Sequence, residues 1–216
     1  FFFHDGLTPV ALNYPKNPET DGQYFYALMV FVVPTVDIAV FVWVNSDISF
    51  EDNVLQGAVT GTVTLDASLD YVLNSSYIVQ DGGKLIIPAG TKITARDGGT
   101  GVYIAVLKGG EIDIQGTSTN PVVIASASAS PGDWGGLTIC GDATTTAGVD
   151  ATAEVGGFIY GGTNDTDDSG SIKYLVLKGT GAQINSESQY NGLSLYAVGS
   201  ETDIDYVSVI NGDDDG

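Results

Sequence analysis

Two aspartate-rich stretches contain the side chains best suited to chemistry, "GGTNDTDDSG" at residues 161–170 and "NGDDDG" at residues 211–216. Ca²⁺ is bound by clustered carboxylate and carbonyl oxygens from flexible loops, so Ca²⁺ is the candidate ion at either stretch. Neither stretch has the distal glutamate of a helix-flanked calcium loop, and solvated turns rich in aspartate are the competing interpretation. The candidate cation ligands are Asp165, Asp167, Asp168, Asp213, Asp214 and Asp215.

The same carboxylates could act as acid and base in polysaccharide cleavage, but their arrangement and surroundings argue against it. Consecutive residues of a strand point to opposite faces, so adjacent aspartates do not place a carboxylate pair across one glycosidic bond. Lyase chemistry also needs a basic group, and the only histidine and arginine are His4 and Arg96, outside both stretches. We predict no catalytic residue and no organic cofactor.

The net charge limits the partners that this chain can bind. Seven Lys and Arg residues stand against 27 Asp and Glu residues, which gives a formal net charge of −20. Such a chain repels nucleic acid and polyuronate, whereas cations and neutral polysaccharide remain compatible with it. The only cysteine, Cys140, rules out an intrachain disulfide, and we predict a buried thiol rather than a nucleophile.

Residues 1–58 form a predicted N-terminal segment that is separate from a second domain at residues 59–216. Within it, residues 24–44 are long and apolar enough to span a bilayer but contain Pro34 and Asp37 near the middle. A central aspartate costs about 2.5 to 3.5 kcal/mol on insertion, and the β-branched and aromatic content favours strands. We therefore predict strands at 27–33 and 36–44 and no membrane span. The chain begins without methionine or a leader pattern, so we expect a processed or partial product.

Glycine pairs recur through the second domain, and alternating apolar residues follow each pair. The four segments are "VQDGGKLII", "VLKGGEIDI", "WGGLTI" and "VGGFIY", with their pairs beginning at Gly82, Gly109, Gly135 and Gly156. The spacing is too long for a ladder of tight hairpins and has no 3.6-residue rhythm, so it predicts a parallel β-solenoid with glycines at its corners.

The alternation also predicts which side chains face the core. On the strand pattern, six residues point inward: Leu85, Ile87, Ile112, Ile114, Leu137 and Ile139. Four point outward: Lys84, Glu111, Asp113 and Thr138. Five aromatic residues could stack on sugar rings, although we favour a role in closing the core and the coil corners: Tyr103, Trp134, Tyr160, Tyr190 and Tyr196.

The chain resembles a family of secreted right-handed parallel β-helix proteins found on the surface of Bacteroidetes-type bacteria and associated with type IX secretion. The resemblance covers about residues 65–215 and rests on "VQDGGKLIIPAGTKI", "GEIDIQGTSTNPVVIAS", "GDWGGLTICG", "YGGTNDTDDSGSIKYL" and "GLSLYAVGSETDIDYVSVINGDDD". It implies a right-handed parallel β-helix that is exported to the cell surface, and it does not cover residues 1–58. With the strands predicted in that segment, the predicted fold class is all-β, a right-handed parallel β-helix with a β-rich N-terminal extension. It supplies no catalytic residues, because the family is largely uncharacterised.

A solenoid has an open strand edge at each end, and exposed edges favour end-to-end association unless they are covered. The apolar strands predicted at 27–33 and 36–44 need a partner, either their own helix or that of a neighbouring subunit. We therefore expect an extracellular structural or adhesive protein that self-associates head to tail as a filament subunit. The alternative is a polysaccharide lyase, a glycoside hydrolase or a carbohydrate-binding module.

Overall fold

The computed structural model describes residues 53–214, and these residues form strands with no helix. The strands predicted within residues 24–44 and the carboxylate of Asp215 lie outside the described residues. In chain order the strands are β1 (Val54–Val59), β2 (Thr62–Thr64), β3 (Asp70–Val79), β4 (Lys84–Pro88), β5 (Lys92–Ala95), β6 (Ile104–Val106), β7 (Glu111–Gln115), β8 (Val122–Ser126), β9 (Leu137–Cys140), β10 (Ala151–Thr152), β11 (Ile159–Tyr160), β12 (Gly170–Lys178), β13 (Gln183–Asn185), β14 (Ser188–Gln189), β15 (Leu193–Tyr196) and β16 (Asp203–Ile210).

Twelve strands form one sheet, and its pairings are parallel. Parallel neighbours require a crossover connection, which the chain makes by winding around an axis rather than by adding helices. The strands β3 and β12 each turn a corner, and their two halves pair with different neighbours. β16 follows β12 around the same corner and pairs with both of its halves. This topology confirms the prediction of an all-β parallel solenoid.

Three faces surround the core of the solenoid. Face A consists of β2, β4, β7 and residues 170–173 and 203–205. Face B consists of residues 70–73, β5, β8 and residues 175–178 and 207–210. Face C consists of residues 57–59 and 77–79 with β6, β9 and β15. Successive coils run through faces C, A and B, and we number them coil 1 (57–73), coil 2 (77–95), coil 3 (104–126), coil 4 (137–178) and coil 5 (193–210).

Inward side chains stack on one another from coil to coil, as the alternation predicted. On face A, Ile87 pairs in register with Ile114, which pairs with Ile172, which pairs with Ile204. The first three are fully buried, and so are Leu85, Ile112, Leu137 and Ile139. Burial of an isoleucine or leucine side chain stabilises the fold by about 1.5 to 3 kcal/mol, so these ladders supply most of the stability.

The predicted repeat is wrong in its assignment of two glycine pairs. Gly82 and Gly109 occupy equivalent corners between faces C and A, where the Gly82 amide donates to the Gly109 carbonyl (2.9 Å). The pair at Gly135 and Gly136, however, directly precedes β9 and lies at the entry to face C. Gly156 belongs to the turn of an antiparallel hairpin formed by β10 and β11, not to a coil. A glycine pair thus marks a turn without identifying which turn.

Thr138 is buried, contrary to the prediction that it faces solvent. The reason is the long insertion at 141–169, whose hairpin contacts aromatic residues beside face C: Phe158 lies on Tyr103 and Tyr160 lies on Tyr196. Lys108 of coil 3 forms ion pairs with this insertion, since its ammonium group contacts Asp142 (3.1 Å) and Asp150 (2.8 Å).

The two ends of the described region bear on two predictions, the domain boundary after residue 58 and the association between subunits. The first strand begins at Val54 and pairs with β3, so it spans the boundary predicted after residue 58. In coil 5 the inward residues are less covered, since Ile204, Val207 and Val209 are only partly buried and Leu195 is 44% exposed.

Within residues 53–214 no helix is long and apolar enough to cross a membrane.

Candidate functional site

The first predicted acidic cluster lies at the entry to β12, and two of its three aspartates serve the local fold. Asp167 is buried, accepts a hydrogen bond from the Ser169 hydroxyl (2.9 Å), and packs against Gly141 and Gly199. Asp165 is exposed and accepts the Thr144 amide (2.9 Å), and hydrogen bonding from Thr144 lowers the pKa of its carboxyl. These two side chains therefore shape the turn that leads into face A.

The second predicted cluster lies after β16, at the opposite end of the β12–β16 pair. The Asp213 amide donates to the Thr180 carbonyl (3.0 Å), and the Asp213 carboxylate lies beside Gly132. Asp214 is exposed. Because β12 and β16 run parallel from Ser171 to Lys178, the two acidic clusters do not come together.

Metal binding by these clusters stays a prediction. Within residues 53–214 no group of at least three His, Cys, Asp or Glu side chains is arranged to hold a metal ion. The remaining member of the first cluster, Asp168, accepts the Gly170 amide (2.8 Å) and contributes to a different feature, a groove on the outer surface of face A.

This groove has a volume of about 180 Å³ and crosses coils 2 to 5. Its floor comes from outward residues of neighbouring strands, which the parallel register aligns: Asp113 of β7 pairs with Ser171 of β12, which pairs with Asp203 of β16. The predicted outward positions of Lys84, Glu111 and Asp113 thus bring these side chains into one site. The lining residues are Lys84, Glu111, Asp113, Asp168, Gly170, Ser171, Glu201 and Asp203.

Ion pairs hold the cationic groups of this surface. The Lys84 ammonium lies 2.6 Å from the Glu111 carboxylate, and this hydrogen bond raises the pKa of Lys84. Lys173 lies 2.8 Å from Asp203 and 3.9 Å from Asp205, and its pKa is raised chiefly by the hydrogen bond to Asp203. Both lysines are therefore protonated at neutral pH, so they act as hydrogen-bond donors and not as bases.

The groove thus offers charged donors and acceptors side by side. Asp113 accepts a hydrogen bond from the Gln115 amide group (2.7 Å), which orients its carboxylate across the face. Carboxylates and ammonium groups that are partly exposed can exchange water for the hydroxyl groups of a ligand. An array of this kind suits a polyhydroxylated molecule that carries no charge.

Two tyrosines extend this surface to the corner between faces A and B. Tyr174 follows Lys173 in β12, and Tyr206 follows Asp205 in β16, so the two rings stack with centroids 4.3 Å apart and an interplanar angle of 10°. Sequence reasoning did not single out this pair. The signal was present in "SIKYLVL" and "DIDYVSV", which align in register with tyrosine at the same position.

The aromatic residues that the sequence did single out lie in the fold interior or pack on one another. Trp134 is fully buried, and its indole N–H donates to the Lys178 carbonyl (2.8 Å). Tyr190 is buried and stacks on Tyr103. Cys140 is fully buried as predicted, and burial raises the pKa of its thiol to about 11, so it is inert as a nucleophile at neutral pH.

Comparison with known proteins identifies the coils as a described domain. A family model described as a pectate-lyase like beta helix domain matches residues 57–216. No curated protein matches the chain, and no solved structure matches it.

Proposed function

Because the chain belongs to the pectate-lyase-like β-helix family, we propose that it is an extracellular structural and adhesive protein that binds a neutral polysaccharide on face A. Domains of this family are typically extracellular, which supports export, and the type IX route and a cell-surface location belong to the same proposal. The observation that carries the proposal is the outer groove, in which four parallel strands align carboxylates, a lysine and a serine.

Charge determines which polysaccharide is proposed. The chain carries a formal net charge of −20, and five of the eight groove residues are Asp or Glu: Glu111, Asp113, Asp168, Glu201 and Asp203. A polyuronate would meet like charge at close range, whereas neutral sugar hydroxyls can donate hydrogen bonds to these carboxylates. A neutral polysaccharide can therefore bind in the groove while the carboxylates keep their charge.

Adhesion rather than lyase cleavage is supported by the protonation of the lysines in and beside the groove. Lys84 and Lys173 are paired with carboxylates, and hydrogen bonding raises the pKa of each. A lyase would need one of them neutral to take a proton from the sugar ring. The enzyme alternative, a lyase or glycoside hydrolase, predicts instead that new chain ends appear when the protein is incubated with a polysaccharide panel.

Asp113→Ala is expected to weaken binding of a neutral polysaccharide at least about fivefold, because it removes a charged acceptor from the centre of the groove. Affinity gel electrophoresis through a panel of soluble neutral and acidic polysaccharides would measure the retardation of each variant. Parallel reducing-end and unsaturated-product assays on the same panel would detect cleavage.

Asp70→Ala is the matched control, since it makes the same change of charge on an exposed residue of face B. It is expected to bind as the wild type does. Equal loss in both variants would attribute binding to net charge and contradict a site on face A. Retardation by acidic polysaccharide alone, or turnover that Asp113→Ala abolishes, would overturn the proposal in favour of the alternatives.

Ca²⁺ remains the proposed cation at the acidic surface. Asp168 is the predicted ligand that lies in the groove, and Asp113 and Asp203 line the same groove. Calorimetric titration with Ca²⁺ should show heat that Asp168→Asn reduces, with Mg²⁺ as the comparison ion. A wild-type titration without heat would remove Ca²⁺ from the proposal and leave polysaccharide binding intact.

Head-to-tail self-association is the second proposed property, and a specific feature of coil 5 favours it. The inward residues Ile204, Val207 and Val209 are partly exposed, while the residues that pair with them in coil 4 are fully buried. The apolar segment at 24–44 has the composition of strands that could pair with such an edge.

Val209→Asp is expected to reduce head-to-tail assembly sharply, because it places a charge in the apolar surface that a neighbouring subunit would cover. Negative-stain microscopy and sedimentation of the intact chain at high concentration would measure the assembly. Ser208→Asp, on the adjacent outward position of the same strand, provides the control. Discrete monomeric particles of the wild type at every concentration would contradict self-association.

A further inference from the structure

The stacked tyrosines have a backbone conformation that their side chains do not favour. Tyr174 has a φ of 49° and Tyr206 a φ of 60°, both in the left-handed region. Bulky residues with positive φ are uncommon, and such conformations concentrate at functional sites. Glycine would adopt this corner at lower cost, so the presence of tyrosine at both positions calls for a role of the rings.

The rings are accessible to a ligand. Tyr206 is 67% exposed, the largest exposed fraction among the exposed apolar and aromatic residues of the described region. The position that follows Gln115 in coil 3 is Gly116, which lies against the Tyr174 backbone and adds no side chain to the stack. The Tyr206 ring therefore faces solvent at this corner, with the partly exposed Tyr174 ring stacked beneath it.

Charged groups stand directly beside the rings. Lys173 precedes Tyr174, Asp205 precedes Tyr206, and the lysine contacts both Asp203 and Asp205. An aromatic face next to such donors and acceptors combines the two contacts that a sugar ring makes, apolar C–H surface on one side and hydroxyls around the rim.

The tyrosines also continue the groove. Along β12 and the turn before it, Asp168, Gly170 and Ser171 line the groove, and Lys173 and Tyr174 follow on the same strand. At about 3.3 Å per residue, the path from Asp168 to Tyr174 is about 20 Å long. This length accommodates a short oligosaccharide that lies along coils 4 and 5.

We propose that the Tyr174–Tyr206 stack is the ring-binding subsite of this surface and anchors one sugar ring of a neutral polysaccharide whose chain continues into the groove. The inference rests on the proposed function and adds a subsite, a direction for the bound chain and a requirement for an aromatic side chain. A cationic peptide is a poorer fit, since Lys173 already occupies the adjacent aspartates.

Tyr206→Gly is the decisive variant because a structural role and a binding role predict opposite results for it. Removing the ring should weaken binding of the best neutral polysaccharide about tenfold, while release of the positive φ should keep the melting temperature at or above that of the wild type. Tyr206→Phe keeps the ring and should bind within about twofold of the wild type. Affinity electrophoresis and thermal unfolding of the intact chain measure both quantities.

Ala197→Gly is the matched control, since Ala197 has a similar φ of 50° and carries no ring. It should bind as the wild type does. Wild-type binding by Tyr206→Gly, together with loss of binding in Asp113→Ala, would overturn the subsite and leave the proposed function standing. A lowered melting temperature in Tyr206→Gly would assign the rings to solenoid stability instead. Absence of any neutral-polysaccharide binding by the wild type would refute the proposed function itself.

Discussion

Gly170→Ala is expected to lower the free energy of unfolding by more than about 4 kcal/mol, a loss that few single substitutions cause. Gly170 begins β12 with a φ of 113°, and a Cβ there would overlap the Ile112 carbonyl of the neighbouring coil. The methyl group therefore meets both an unfavourable backbone conformation and a rigid backbone atom. Urea unfolding followed by tryptophan fluorescence would measure the change, since Trp134 is fully buried.

Two further glycines separate these causes. Gly57 has a φ of 81° but no atom within 4 Å of the position that a Cβ would take, so Gly57→Ala should cost about 1 to 2 kcal/mol from backbone conformation alone. Gly61 has neither a positive φ nor a close atom, so Gly61→Ala should leave stability unchanged or raise it by about 0.5 kcal/mol. If Gly170→Ala were no worse than Gly57→Ala, close stacking of the coils at Gly170 would be refuted.

The inward residues could be predicted from sequence because alternation depends only on local geometry. In "KLII" and "EIDI" every second residue faces the core regardless of which strand lies beside it, and Leu85, Ile87, Ile112 and Ile114 are all fully buried. The order of strands is a longer-range property. β12 pairs with β7 and β8 although the chain between them contains the insertion at 141–169, whose length hides the coil period.

The candidate site was predictable in parts. The alternation correctly placed Lys84, Glu111 and Asp113 on the outer surface. That they share one groove with Asp203 depends on the register between coils, which the sequence does not show. Conversely, acidic composition alone could not distinguish a ligand site from a turn. Asp167, for example, accepts a hydrogen bond from Ser169, because aspartate readily forms hydrogen bonds within its own loop.

Asp133→Asn is expected to lower the free energy of unfolding by about 1 to 3 kcal/mol at neutral pH, because buried donors lose a charged acceptor. Asp133 is buried in the connection from face B of coil 3 to face C of coil 4, beside Trp134. Its carboxylate accepts hydrogen bonds from the Ser126 hydroxyl (2.6 Å), the Ser128 hydroxyl and the Ser130 amide (3.0 Å). All three donors converge on one carboxylate oxygen, Oδ2, so an asparagine can place its amide oxygen there but offers these donors a neutral acceptor in place of a charged one.

The same carboxylate gives this variant a distinctive pH dependence. Burial raises the pKa of Asp133, but the hydrogen bonds from Ser126, Ser128 and Ser130 outweigh burial, so the net shift is downward from 3.8. A carboxyl with a depressed folded-state pKa stabilises the fold fully above its unfolded pKa, and this contribution is lost as pH falls through the folded pKa. The stability difference between the wild type and Asp133→Asn should therefore be constant near neutral pH and shrink below about pH 4.

Comparison of the two proteins at each pH is essential to this measurement. With 27 acidic residues against seven basic ones, protonation of the whole surface relieves repulsion and alters the stability of both proteins together. The difference between them cancels that common effect and isolates Asp133. Asp70→Asn, which alters an exposed carboxylate on face B, should change stability little at neutral pH. A wild-type advantage that persists undiminished well below about pH 3 would show that the carboxylate charge does not hold this corner together, and that its stability comes from packing around Trp134.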